Sequence, residues 1–130
     1  MMDASNEAAI LRIIDARATA VARGDDDAMM ADVEDDIVIF DVVDPLRSTG
    51  KAASRLRAVE WLATYDGPIS WEDRAVQVTG DGDVAFSHSL SRVTGTLKTS
   101  TKVDMWFRTT LGFRRVGGRW LRARLRLGSL

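Results

Sequence analysis

The chain has 130 residues, 45% of them apolar and 28% charged, a make-up expected of one soluble globular domain spanning residues 1–130. Eighteen basic and nineteen acidic residues leave a net charge of −1, which argues against a general nucleic-acid binder. The absence of cysteine excludes disulfides and thiolate metal sites, and the single histidine, His88, excludes multi-histidine metal centres.

The charge is split along the chain. Residues 1–65 carry 7 basic and 13 acidic groups, and residues 66–130 carry 11 and 6, so the two halves attract each other within one fold or across a dimer. No apolar run approaches the roughly 18 residues of a membrane span. The acidic start Met1-Met2-Asp3 does not read as a secretory signal, so a cytoplasmic address is expected.

The first helix is predicted from Ile10, Ile13, Ile14, Ala18 and Val21, which share one helical face; Ser5 serves as its N-cap and Arg23-Gly24 as its end. Asp25 to Asp27 cap a short second helix through Met29, Met30 and Val33, closed by Asp35-Asp36. Ile37 to Val43 is a β-branched run and reads as a strand, broken by Asp44-Pro45. A third helix fits Ala52 to Tyr65, with Leu56, Val59 and Ala63 on its apolar face and Trp61-Leu62 beside it.

Strands follow. Trp71 to Thr79 leads into the turn Gly80-Asp81-Gly82-Asp83, and from Val84 to Arg92 large and small side chains alternate. Lys102 to Val116 is a long strand, Gly117-Gly118 turns the chain, and Leu121, Ala123, Leu125 and Leu127 alternate with Arg122, Arg124 and Arg126. The order α-α-β-α-β-β-β-β, with the antiparallel strands gathered last, predicts an α+β fold in which a curved sheet wraps helices.

Several residues are candidates for chemistry. Asp41 continues the apolar phase of Ile37 and Ile39; a buried carboxylate there is either paired with a cation or poised as a general base, and the plainer reading is a strand-end aspartate bonded to local backbone. Arg17 interrupts the apolar face of the first helix, where it either snorkels outward or points into a cavity to hold an anion or pair with Asp41. His88 shares a face with Val84, Phe86 and Leu90, as a core histidine or as a titrating group in a pocket. Asp104, Trp106, Arg108 and Thr110 share one face of the long strand, either a pocket lining or a solvated face. Trp61 caps a pocket mouth or packs in the core. The alternating arginines of the last strand read as a solvated face that protects an edge. There is no glycine-rich phosphate loop and no Gly-x-Ser-x-Gly elbow, so neither cofactor nor metal is expected.

Several strings are similar to one family. They are Ala22-Arg23-Gly24-Asp25, Asp35-Asp36-Ile37-Val38-Ile39-Phe40-Asp41 and the segment Asp44-Pro45-Leu46-Arg47-Ser48-Thr49-Gly50 before the third helix. To these are added Asp83-Val84-Ala85-Phe86-Ser87-His88, Val103-Asp104-Met105-Trp106-Phe107-Arg108 and the turn Gly118-Arg119-Trp120. Together they resemble the ketosteroid isomerase and SnoaL-like polyketide cyclase branch of the nuclear transport factor two-like superfamily, over nearly the whole chain. The resemblance implies a cone of α+β structure, a pocket between sheet and helices, and a homodimer through the outer face of the sheet. It places Asp41 on the base that moves a proton beside a ketone.

The departures limit the reaction. Arg17 stands where that isomerase has its oxyanion tyrosine, and Asp104 lies near its protonated aspartate without aligning to it, which argues against steroid isomerisation. Where SnoaL-like relatives commonly carry His-Glu-His, this chain has Arg122-Ala123-Arg124-Leu125. The expected function is acid–base chemistry of isomerase, cyclase or dehydratase type on a small apolar carbonyl compound. Asp41, His88 and Arg108 are its catalytic candidates; Arg17, Trp61, Asp104 and Trp106 are its ligand-binding candidates. The alternatives are a non-catalytic module for a small acidic or aromatic ligand, and a purely structural dimerisation domain. No nucleic-acid or membrane partner is expected.

Overall fold

The computed structural model describes residues 2–129. Helix α1 (Ala4–Arg23) begins at Asp3, not at Ser5: Asp3 Oδ1 accepts the Asn6 N–H at 2.8 Å, and Ser5 lies within the first turn. It ends at Gly24, whose φ of 64° suits a residue without a Cβ and lets its N–H reach the last turn's carbonyls. Helix α2 (Asp26–Met30) is capped by Asp25, which accepts the Ala28 N–H at 3.0 Å. It stops at Met30, short of the predicted end, because β1 (Val33–Phe40) already starts at Val33. The Asp35-Asp36 pair is thus an exposed step inside a strand, not a helix end. An unpredicted short strand, β2 (Arg47–Thr49), returns antiparallel along β1.

Helix α3 (Lys51–Ala63) turns a face different from the expected one. Ser54 and Ala58 are buried, while Leu56 and Val59 are exposed. Small residues on the inner side let the helix lie close to the sheet, and the wide side chains Trp61 and Leu62 fill the gap at its end. Strands β3 (Ser70–Asp81), β4 (Val84–Thr96), β5 (Lys102–Val116) and β6 (Arg119–Ser129) then form a meander. The six-stranded sheet runs β2-β1-β6-β5-β4-β3, antiparallel except where β1 and β6 lie parallel.

Three register irregularities interrupt the sheet: one between β1 and β6, from Val33 to Val38, and two that bend a strand and reset which of its side chains face inward. On β3, Arg74 pairs with Leu90 but Gln77 pairs with His88, so one extra residue is inserted next to Ala75, whose φ is 54°. On β6, Gly112 pairs with Arg124 while Phe113 pairs with Arg122, leaving Ala123 as the additional residue. Both Arg122 and Ala123 are buried as a result.

The concave side of the sheet holds two apolar clusters. Ile10, Ile13 and Ile14 of α1 pack on Leu111, Phe113 and Trp120. Ala20 and Val21 of the same helix join Met29, Ile37, Ala58, Val93 and Phe107 in the second cluster. Leu125 touches both. No helix among the described residues is long and apolar enough to cross a membrane.

Candidate functional site

A belt of polar side chains separates the two apolar clusters. On α1, Arg17 stands between Ile14 and Ala20; on β3, Asp73 between Trp71 and Val76; on β4, Ser87 and Ser91 between Ala85 and Val93. On β5, Thr109 falls between Phe107 and Leu111, and on β6, Arg122 follows Trp120. Five elements therefore place polar groups at one level of an otherwise apolar interior. Buried polar groups are costly unless they are partnered, so a layer of them calls for a reason.

The belt is partly joined by hydrogen bonds. The Ser91 hydroxyl donates to Asp73 Oδ1 at 2.7 Å, and the Trp71 indole N–H reaches the same oxygen at 3.4 Å. Ser91 Oγ is also 2.7 Å from Thr109 Oγ1. A hydroxyl has one proton, and Ser91 gives its own to the carboxylate, so Thr109 is the donor in that second bond.

The arginines are less well served. Arg17 is 8% exposed, has no hydrogen bond or ion pair among the described residues, and lies with its guanidinium 4.7 Å from the Trp71 ring centroid. Burial pushes its pKa below the ordinary arginine value, against the opposing pull of the Asp73 charge. Arg122 is 5% exposed; it donates to the Met29 carbonyl, and its Nε is buried without a partner. Burial, reinforced by the Arg17 charge, lowers its pKa to about 9, with Asp32 acting the other way. Both guanidiniums stay protonated at neutral pH.

Next to the belt runs a row of rings. Trp61 meets Tyr65 edge-on at 5.1 Å and Trp71 at 6.1 Å, and Trp71 meets Phe107 at 5.2 Å. Trp61 thus lies in this packed row, half-buried, against the second apolar cluster.

The other predicted site residues lie apart from the belt. Asp41 follows the end of β1 beside α3: its Oδ1 accepts the Val42 N–H at 2.6 Å and its Oδ2 pairs with Arg57. The cation it meets is Arg57, not Arg17, and both of its oxygens are engaged. His88 is exposed on the outer face of β4, stacked on Phe86 at 6.4 Å, because the inward positions there belong to Ala85, Ser87 and Ser91. Asp104, Trp106 and Arg108 share that outer face. Asp104 accepts two hydrogen bonds of 2.8 Å from Arg92, whose attraction holds its carboxyl below the usual carboxylate range. Trp106 lies near the guanidiniums of Arg74 and Arg92, at 5.4 and 5.6 Å, and Arg108 donates to the Ser129 carbonyl at 2.8 Å. The strand's other face, Phe107 to Phe113, supplies the packing.

Asp73, Ser91, Thr109 and Arg122 were missed as site residues. The alternation of β3 and β4 carries a signal for Asp73, which shares the phase of Trp71, but Arg122 is turned inward by the β6 bulge and strict alternation puts it outside.

Two surface clefts, of about 440 and 390 Å³, lie elsewhere. One sits between the C-terminal ends of α1 and α3, at Gly24, Leu62 and Pro68; the other lies beside β1 and β6, at Glu34, Lys51 and Arg119. Neither includes a belt residue; the second is lined in part by Glu34, a buried carboxylate paired with Arg114. Glu34 has its partner, whereas the buried cations Arg17 and Arg122 are short of acceptors, and these mark the belt as the candidate site. Among the described residues no three histidine or acidic side chains are grouped to hold a metal ion.

The family follows from the sequence. The model of the SnoaL-like domain matches residues 10–123, and the chain belongs to that family. Among solved structures it is similar to an NTF2-like protein of unknown function from Pseudomonas putida KT2440, with 28% identity over 98% of this chain and 89% of the other, at a TM-score of 0.88. A ketosteroid isomerase-like protein from Erwinia carotovora atroseptica is 26% identical over 92% of each chain, at a TM-score of 0.79. A proposed aromatic ring hydroxylase from Novosphingobium aromaticivorans shares the fold at a TM-score of 0.91, with 22% identity over 100% of this chain and 92% of the other. No curated protein matches the chain at a significant level.

Proposed function

We propose that the chain binds a small carbonyl-containing molecule between the helices and the concave face of the sheet and moves a proton on it. The observation that carries this reading is the polar belt, a layer of charge and hydroxyl groups placed where packing alone would put aliphatic side chains. Asp73 is the carboxylate inside the belt and takes the role of proton carrier, with Ser91 and Thr109 orienting it. Asp41 is the second carboxylate available. It accepts a proton only after its contact with Arg57 opens. The similarity to a ketosteroid isomerase-like protein supports this class of chemistry.

A second reading, non-catalytic binding of the same kind of molecule, is favoured by the Asp41–Arg57 pair, which occupies the residue on which the family resemblance places the base. Both readings include self-association through the outer face of the sheet, where Val84, Phe86 and Leu90 are exposed, and a cytoplasmic place of action.

The test is a screen of ketones, enones and lactones for binding by thermal shift, followed by turnover of each hit. Asp73→Asn and Asp41→Asn are run beside the wild type. Turnover lost in Asp73→Asn with binding retained supports the first reading; binding without turnover in the wild type selects the second. No binding to any compound, at concentrations that would raise the melting point of a loaded domain, removes both.

A further inference from the structure

Two buried cations, Arg17 and Arg122, and one half-buried carboxylate, Asp73, meet at the belt. Arg17 and Arg122 are close enough for their charges to repel, and Asp73 is the carboxylate set against Arg17. Asp32 attracts Arg122, but its carboxylate is 28% exposed and also takes a hydrogen bond from Arg119 at 3.1 Å. Asp73 spends its Oδ1 on Ser91 and on the Trp71 indole. The belt is thus left with more cationic donors than acceptors. Arg17 makes no hydrogen bond among the described residues, and the Arg122 Nε is orphaned.

Such an arrangement is poor for stability. A buried cation without a full set of acceptors is destabilising, and replacing one by an apolar side chain of similar size is often neutral or favourable. A structural role alone does not account for two of them at one level of the interior. A ligand anion does, since a guanidinium offers a planar fork of donors that matches a carboxylate. One excess positive charge suits a monoanion better than a phosphate dianion. The ring row of Trp61, Trp71 and Phe107, with Arg17 stacked on Trp71, supplies an apolar wall for the rest of the molecule.

We propose that the interior ligand is a small carboxylate, its carboxyl group held between Arg17 and Arg122 and its apolar body laid against the Trp61–Trp71–Phe107 row. This rests on the reading of the belt as a ligand site and names the class of molecule that fits it.

The experiment titrates the purified protein with benzoate, phenylacetate, cinnamate and octanoate, and in parallel with the amide of each, following tryptophan fluorescence and calorimetry. The expected result is saturable binding of one or more carboxylates, with the matching amide weaker by about tenfold or more. Arg17→Gln and Arg122→Met should each lose that preference, while Arg92→Gln on the outer face keeps it. Melting curves establish that the variants are folded; should either interior variant not fold, the amide comparison in the wild type decides alone. Amides binding as well as carboxylates overturn the proposal and leave the belt a ligand site. A preference that survives both interior substitutions overturns it too. Absence of binding by every probe overturns this proposal, while the reading of the belt as a carbonyl-binding site is judged separately by the ketone, enone and lactone screen.

Discussion

Ser91 donates its hydroxyl proton to Asp73 at 2.7 Å, and the two residues are register partners on neighbouring strands. Because Thr109 in turn donates to Ser91, the carboxylate stands at the end of a relay of three side chains drawn from β3, β4 and β5. Ser91 is 0% exposed, so no solvent replaces either bond.

Ser91→Ala breaks that relay in the middle. It leaves a Thr109 hydroxyl and an Asp73 oxygen short of a partner, which should cost about 1–3 kcal/mol in urea unfolding. Thr109→Val removes only the end of the chain and keeps the volume, so it should cost less. Equal losses for the two would show that the relay is not directional.

Arg122 gives a pH signature. Its native pKa of about 9 lies below its value in the unfolded chain, so between the two the unfolded chain binds more protons and stability rises with pH. Below about 9 both states are charged and the penalty is constant. Arg122→Met removes that penalty and, less the lost bond to the Met29 carbonyl, should raise stability at neutral pH by about 1 kcal/mol. The gap in melting temperature should narrow as the pH is raised through 9. A gap that does not vary with pH would show that the guanidinium is not destabilised by burial.

Asp41 and Arg57 have side chains only 12% and 21% exposed, which puts the pair between a surface salt bridge and a buried one. Removing either partner alone should cost about 1–3 kcal/mol. In a double-mutant cycle with Asp41→Asn and Arg57→Ala, the two losses should fall short of additivity by about 1 kcal/mol. Strict additivity would mean that the contact contributes nothing in solution.

Gly95 is a packing prediction. A Cβ built there would come within 2.8 Å of two ring carbons of Tyr65, which is 8% exposed and meets Trp61 edge-on. Gly95→Ala should therefore displace Tyr65 and cost about 1–3 kcal/mol, with a change in near-ultraviolet circular dichroism from the disturbed ring row. An unchanged spectrum would mean that the row adjusts without Tyr65.

On the outer face, Phe86 is 46% exposed and flanked by Val84 and Leu90. Phe86→Glu should convert a dimer in sedimentation velocity to a monomer without lowering the melting temperature of the monomer. A wild-type protein that sediments as a monomer would remove the outer face as an association surface.

The architecture was largely legible because it rests on local patterns: the spacing of Ile10, Ile13 and Ile14, the aspartate caps, the β-branched run after Asp36 and the glycine turns. The helices kept their number and order, and the strands lacked only the three residues of β2. The site was less legible. Alternation tells which residues share a face of a strand but not which face is concave, so Asp104, Trp106 and Arg108 looked as eligible as the belt. Leu56 and Val59 read as the inner face of α3, yet tight approach to the sheet favoured Ser54 and Ala58. Arg17 stood out in the sequence as an interruption of an apolar face, while Asp73 carried no mark of its own and Arg122 read as one of the arginines of a solvated face.

The single additional residue at Ala123 lets two opposite sequence phases share one inner face. Ahead of it, Trp120 and Arg122 are buried; beyond it the phase is inverted, and Arg124 and Arg126 are exposed. Deleting that alanine would remove the bulge and restore strict alternation, with Arg122 and Leu125 still turned inward and Arg124 and Arg126 outward, at the expense of the local bend. The same arithmetic governs comparison with relatives. Against a homologue that lacks the bulge, an ungapped alignment pairs side chains that point in opposite directions on one side of Ala123, so inheritance of a role at position 122 has to be judged from backbone geometry before residue identity.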